Sequence, residues 1–361
     1  MHRSRAAAIA LAILLAACGS PAVPSASPPA PPGRTPVPSA SPFAPTATSA
    51  TPRPSPVAGP LPGNLLIADR GNGRLLIVTP DKRVIWSLTL DRRAGWTGAP
   101  LAADDAFFTP DGRQISINAE DENVIARIDV ATRRIVWSYG HDGVAGSAPG
   151  YLNTPDDAYP LPNGNTLVAD IVNQRILEIS RSGRIVRQLG TTGLRSHAPP
   201  AAFAAPNGDT PLADGGVLVT EIGGAYVDRI SASGRLVWSL QLAGIHYPSD
   251  AQLLRNGNVL VVDYHGPGAV EEVTPGGRLV WRYRVLSGPG RLDHPSLAIA
   301  LPNGNIVLND DDNDRVVVID PRTDRIVWQY GHTGVPGSAP GYLNDPDGLD
   351  LAGSAVKLPP P

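Results

Sequence analysis

One unit recurs six times along this 361-residue chain. It consists of a turn, a strand ending in Asp or Asn, a second strand, a tight turn, and a strand ending near Trp. GNLLIADRGNGRLLIVTPDKRVIWSL and GNIVLNDDDNDRVVVIDPRTDRIVWQYG are two copies. The copies open at Gly63, Gly112, Gly164, Gly215, Gly257 and Gly304, at intervals of 49, 52, 51, 42 and 47 residues. Their segments are short, β-branched and bounded by Gly, Asn, Asp or Pro, as strands require. A fourth strand candidate precedes five units, as in DDAYPLPNGN (156–165) and SLAIALPNGN (296–305). Four strands per unit at this period predict an all-β chain folded as a six-bladed β-propeller.

The first unit has no leading strand, because a Pro-rich stretch runs directly into Gly63. The segment DPDGLDLAG (345–353) stands at the other end with no unit of its own. We expect it to complete blade 1 and so remove the unpaired edges of an open repeat. This sets the propeller at 63–353, with a tail at 354–361. A long loop also appears twice, as YGHDGVAGSAPGYLNTPDD (139–157) and YGHTGVPGSAPGYLNDPDG (330–348). One copy leads into blade 3 and the other into blade 1. The pair reads either as a copy left by blade duplication or as two halves of a binding surface presenting Tyr151 and Tyr342.

The first 62 residues do not belong to the repeat. A basic start and the apolar run AAAIALAILLAA (6–17) have the form of an export signal, too short to span a bilayer. Residues 18–62 are dominated by Pro, Ala, Ser, Thr and Gly, and cannot bury enough apolar surface to order themselves. They read as a disordered tether. Cys18 is the only cysteine, which leaves no disulfide and no Cys-based metal site. The net charge of −3, with no basic stripe, argues against a nucleic-acid partner.

Leu15-Ala16-Ala17-Cys18-Gly19 resembles the lipobox of bacterial lipoprotein signals. The resemblance implies a signal peptide at 1–17, a lipid on Cys18 and anchorage outside the cytoplasm. The segments Asp69-x-x-Asn72-x-Arg74, Asp170-x-x-Asn173-x-Arg175 and Asp310-x-x-Asn313-x-Arg315 resemble the core of the NHL repeat. The strands DVATRRIVW (129–137) and DPRTDRIVW (320–328) are similar to the tryptophan-docking repeat of PQQ-type propellers, with Arg133 and Asp324 where that repeat usually has Gly. LPNGN followed by a strand and a terminal Trp is also similar to aryl-sulfate sulfotransferase propellers. These resemblances imply a fold but no activity, because propellers host unrelated functions. On this reading Trp86, Trp137, Trp238, Trp281 and Trp328 pack between blades, and Arg187 takes the sixth place.

Tracing one blade puts the loop between its second and third strands on the same face as the loop joining it to the next blade. The long loops crowd that face, which makes it the expected functional one. Two sets of polar residues fall there. Asp104, Asp105, Asp156, Asp157, Asn207, Asp250, Ser296 and Asp347 begin the innermost strands and should ring the channel mouth. Asp105, Asp157 and Asp250 are the candidate ligands for a hard cation such as Ca²⁺; the alternative is that such residues tie down loop backbone. The second set lies where the Asp-x-x-Asn-x-Arg pattern fails, in blades 4 and 5. Glu221, Tyr226, Tyr264 and His265 are there, with His246, Tyr247 and His294 entering nearby strands. Histidine beside carboxylate and Tyr suits acid–base chemistry or Zn²⁺; the alternative is ordinary loop duty. No HExxH or GxSxG motif accompanies them.

The leading expectation is therefore a lipid-anchored binding or scaffold module for a protein, glycan or small ligand, with Trp96, Tyr151 and Tyr342 as candidate aromatic contacts. The rival is a propeller enzyme, a metal-assisted lyase or hydrolase or a sulfotransferase-like transferase. It would use His246, His265, His294, Glu221 and Tyr264.

Overall fold

The computed structural model describes residues 59–359; Cys18, the export signal and most of the tether lie outside them. Six antiparallel sheets form the six blades of a β-propeller. Five have four strands. Blade 4 has three, Val217–Glu221, Tyr226–Ile230 and Leu236–Gln241. Its innermost segment makes only isolated bridges, Pro206 to Glu221 and Pro211 to Val217.

The C-terminal strand Pro346–Leu351 pairs antiparallel with Leu65–Asp69 and becomes the innermost strand of blade 1, as expected. The ring closes on itself. Its apolar interior is divided into six clusters, each between two adjacent blades. Strand alternation is the cause: Leu66 and Ala68 face blade 2, whereas Leu65 and Ile67 face blade 6.

The tryptophans fasten these interfaces. Trp86 Nε1 donates to Val130 O of the next blade at 3.1 Å, Trp281 Nε1 to Asp324 Oδ1 at 2.8 Å, and Trp328 Nε1 to Pro80 O at 2.8 Å. Arg187 reaches Ser231 O at 3.3 Å in the same relation. The departures from Gly now have a reason. Lys82, Arg133 and Asp324 take left-handed backbone at φ of 68°, 57° and 52°, a position Gly fills without strain. Each instead carries a side chain to the preceding blade's Trp. Arg133 lies 5.8 Å from the Trp86 ring and Lys82 6.0 Å from that of Trp328.

The two similar loops fold alike. Gly146 N donates to Leu152 O at 2.9 Å and Gly337 N to Leu343 O at 2.8 Å, and both leucines are fully buried. Each loop is then gripped by the blade it enters. Asp170 accepts from Asn153 N and Asp69 from Asn344 N, while Asn173 and Asn72 donate to Gly146 O and Gly337 O. Tyr139 and Tyr330 hold the far end, accepting from Gly150 N at 2.7 Å and Gly341 N at 3.2 Å. Tyr139→Phe and Tyr330→Phe are each expected to cost about 1 kcal/mol in chemical denaturation, the worth of one such hydrogen bond. A neutral result for both would mean the loops hold without them.

Candidate functional site

The channel mouth takes one residue from each blade. Every innermost segment enters after a Pro, or after Ala103 in blade 2. The next residue turns to the axis: Asp347, Asp104, Asp156, Asn207, Ser249 and Ser296 for blades 1 to 6. With Arg70, Glu120, Tyr247 and Tyr264 from loops of the same face, they line a cavity of about 100 Å³. That is room for roughly three waters, at about 30 Å³ each, or for one ion with part of its hydration shell.

Arg70 is the cation of this mouth. Its Nη1 lies 2.9 Å from both Asp104 and Asp347, and its Nη2 lies 3.5 Å from Glu120. Those carboxylates, Asp104 foremost, raise its pKa. Burial pushes half-buried Glu120 up to about 7 against the opposing pull of Arg70. Asn118 ties the ring together, donating to Asp104 Oδ2 at 3.3 Å and Asp156 Oδ1 at 3.4 Å. Asn207 donates to Asp156 and accepts from Tyr247 Oη at 2.9 Å.

Asp105, Asp157 and Asp250 do not line the mouth; they lie one layer farther along the innermost strands, where Asp209 joins them. A register irregularity at the strand entries, between Asp156 and Tyr159 and between Pro248 and Ala251, turns two successive residues toward the axis instead of one. Asp157 itself has φ of 51°. Asp157 Oδ2 accepts from Asp209 N at 3.2 Å, and Asp250 Oδ1 from Thr210 Oγ1 at 2.9 Å. Among the described residues no Arg, Lys or His pairs with any of the four. Burial first, then the neighbouring carboxylates, holds Asp105, Asp157 and Asp209 well above the usual range. Burial also raises Asp250 to about 6. Asp209 is fully buried, and neither of its carboxyl oxygens has a hydrogen-bond partner. Tyr159 adjoins this layer and stacks on Phe107 at 3.9 Å, placing aromatic surface beside the acids.

The histidine sector borders the mouth through Tyr247 and Tyr264. The rings form a chain: Tyr247 to Tyr264 at 5.2 Å, Tyr264 to His294 at 5.0 Å, and, alongside, His246 to His265 at 4.6 Å. Exposed His246 contacts buried Asp263 at 3.1 Å. His294 Nδ1 lies 2.8 Å from Asp312 and 3.2 Å from Asp293, and Asp312 in particular raises its pKa. Glu221 is not with them. It lies buried in blade 4, hydrogen-bonded to His197 and Ala204 N, with the Asp228 carboxyl nearby. Trp96 is half-buried against the core between blades 1 and 2. Tyr151 and Tyr342 each stack on the histidine of their own loop, His141 at 4.1 Å and His332 at 4.2 Å. These two stacks are internal to their loops.

Arg70, Glu120, Asp209 and His197 were missed in the sequence. Arg70 and Glu120 lie in the turns between the second and third strands of blades 1 and 2, and Asp209 is displaced from the expected place by Gly208. The strongest available signal was Pro-Asn-Gly-Asp (206–209), an acidic strand entry stretched by one residue.

The comparisons with known proteins agree with this architecture. The family described as outer membrane protein assembly factor BamB, of the PQQ_2 type, matches residues 158–330. That match and the six blades together support a PQQ-like β-propeller repeat protein. No curated protein matches its sequence. Among solved structures, a protein of unknown function from Bacteroides caccae is 21% identical with a TM-score of 0.56, the match covering 80% of this chain and 97% of that one. A propeller in a nidogen/laminin complex is 12% identical (TM-score 0.55, 79% and 97% covered). Virginiamycin B lyase from Staphylococcus aureus is 14% identical (TM-score 0.50, 74% and 84% covered). Identities this low speak for the fold alone.

Proposed function

We propose that this protein is an exported, lipid-anchored binding module whose channel holds a hard divalent cation such as Ca²⁺ at the deeper carboxylate layer, just below the mouth. The cation would recruit an oxygen-rich ligand, a glycan or a carboxylate-bearing chain, across Tyr247, Tyr264 and the adjoining histidines. One observation carries the reading. Two layers of buried carboxylates converge on the axis, the deeper one without a cationic side chain, and Asp209 points two unpartnered oxygens into it. An all-oxygen donor set suits Ca²⁺ rather than a softer metal. The lipobox-like sequence at Cys18 and the family match, named for an outer-membrane assembly factor, support an extracytoplasmic location.

The enzyme reading rests on His294, held between Asp293 and Asp312. It is weaker, because the cavity at the mouth is lined by none of the three histidines.

The test is a calorimetric Ca²⁺ titration of the full chain, followed by glycan and acidic-peptide arrays probed with and without Ca²⁺. Saturable Ca²⁺ binding, with array signals that need Ca²⁺ and fade in Tyr264→Ala, is the expected result. Absence of Ca²⁺ binding would sink the proposal. Anchorage is tested separately: Cys18→Ala should move the chain from the membrane pellet to the supernatant, and an unchanged distribution would refute it.

A further inference from the structure

Blade 4 departs from the repeat at a second place, on its outer side. In blades 1, 3 and 6 the second strand ends in a buried Asp that meets an Arg Nε: Asp69 with Arg74 at 2.5 Å, Asp170 with Arg175 at 2.7 Å, and Asp310 with Arg315 at 2.7 Å. Blade 4 has Glu221 and Tyr226 at the corresponding positions, so no guanidinium reaches the carboxylate. The same blade has gained a second buried acid. Asp228 occupies the register position held by Leu76, Leu177 and Val317 in those blades. In blade 5 this position is Glu271, and Arg282 answers it across the ladder at 2.6 Å. The residue across from Asp228 is Ser239. Blade 4 thus has one more buried carboxylate here than blades 1, 3 and 6, as many as blade 5, and lacks the guanidinium that answers them in those blades.

What stands there instead is an imidazole. His197, from the loop between blades 3 and 4, stacks on Tyr226 at 3.6 Å. Its Nδ1 lies 2.7 Å from Glu221 Oε1 and its Nε2 3.2 Å from Ser239 Oγ. Asp228 is fully buried, and neither of its oxygens has a hydrogen-bond partner. The donor atoms of His197, Glu221 and Asp228 all lie within 4.8 Å of one another.

We infer that His197, Glu221 and Asp228 bind one divalent transition-metal ion of the Zn²⁺ class. Imidazole among the donors selects against Ca²⁺ and Mg²⁺, which separates this site from the all-oxygen channel. Tetrahedral Zn²⁺ with ligands at about 2.0–2.2 Å sets donors roughly 3.3 Å apart, so His197 and Glu221 need to separate by under an ångström. Three protein ligands leave a fourth position for water, beside Ser239 on the exposed outer strand. Burial, with Glu221 next to it, pushes Asp228 up to about 8, and burial raises Glu221 as well. A metal ion replaces the proton that such a pair otherwise retains. Bound there, it also fastens the loop carrying His197 to blade 4.

The experiment titrates Zn²⁺ into the full chain, purified without nickel or chelator, against a chromophoric chelator. Millimolar Ca²⁺ occupies hard-cation sites throughout. The expected result is one Zn²⁺ per chain and a higher melting temperature. His197→Ala should lose more affinity than the roughly 10- to 100-fold that loss of an outer-shell partner costs. Asp228→Asn keeps the packing and removes only the charge, so it carries the same decision should His197→Ala fail to fold. Failure of the wild type to bind a stoichiometric Zn²⁺, or undiminished affinity in folded Asp228→Asn, would overturn the assignment.

Discussion

Arg315→Met should destabilise the propeller by about 3–5 kcal/mol, the cost of breaking a buried ion pair by removing one partner. Arg315 is 1% exposed in its side chain, and its Nε donates to Asp310 Oδ2 at 2.7 Å. Its Nη1 bonds Thr333 Oγ1 at 2.9 Å and Pro289 O at 3.1 Å, and its Nη2 bonds Arg291 O at 3.0 Å. The guanidinium therefore joins a strand to both loops flanking blade 6. Met fills most of its volume but leaves Asp310 buried with one fewer counter-charge. In a domain of this size the loss corresponds to a fall in melting temperature on the order of 10 °C. Adding Asp310→Asn should recover part of it, since the orphaned charge is then gone. A single-variant loss under about 1 kcal/mol would contradict the clamp described here.

The second large effect concerns the axis and has an unusual sign. Burial raises Asp250 to about 6 and Glu120 to about 7, and holds Asp105, Asp157 and Asp209 well above the usual carboxylate range. A carboxylate whose folded pKa lies above its unfolded value binds protons more tightly in the folded state. Its stabilisation is complete below the unfolded pKa near 4 and is lost as pH rises through the folded value. The metal-free protein should therefore melt at a higher temperature at pH 5 than at pH 8. Ca²⁺ should raise the pH 8 value and narrow the gap, because the ion replaces the protons. Asp157→Asn should do the opposite of an ordinary core change, stabilising the metal-free protein at pH 8 while abolishing its response to Ca²⁺. Melting curves at the two pH values, with EDTA and with Ca²⁺, decide it. Equal melting at both pH values, or destabilisation by Asp157→Asn in EDTA, would reject this account of the channel.

The blades were legible because their signals are local. A Gly-bounded turn, a β-branched run and a terminal Trp are each complete within a few residues, and the orphan strand at 345–353 had one blade left to finish. The channel was half legible. Asp105, Asp157 and Asp250 could be grouped because each begins an innermost strand, but which of two adjacent acids lines the mouth depends on a bulge that sequence does not announce. Glu221 was grouped with His246, His265 and His294 by nearness in blade order. Its actual partner, His197, arrives from the opposite side along the preceding loop. Contacts made by loops between blades follow the path of that loop, which no residue periodicity encodes. Arg70 was hidden because its four carboxylates come from two blades.

The first described residues mark the rim opposite the mouth. The second strand of blade 1 starts at Leu65, paired with Leu351, and runs toward the mouth at Asp69. The segment before it lies against the opposite rim, where Asn303 and Asn305 of blade 6 donate to Gly59 O and Pro60 O. Gly59 and Pro60 and the acidic mouth therefore lie at opposite ends of the channel. The His–Tyr sector borders the mouth, so both lie on the face away from Gly59 and Pro60, and one face of the ring carries all the acidic and aromatic candidates.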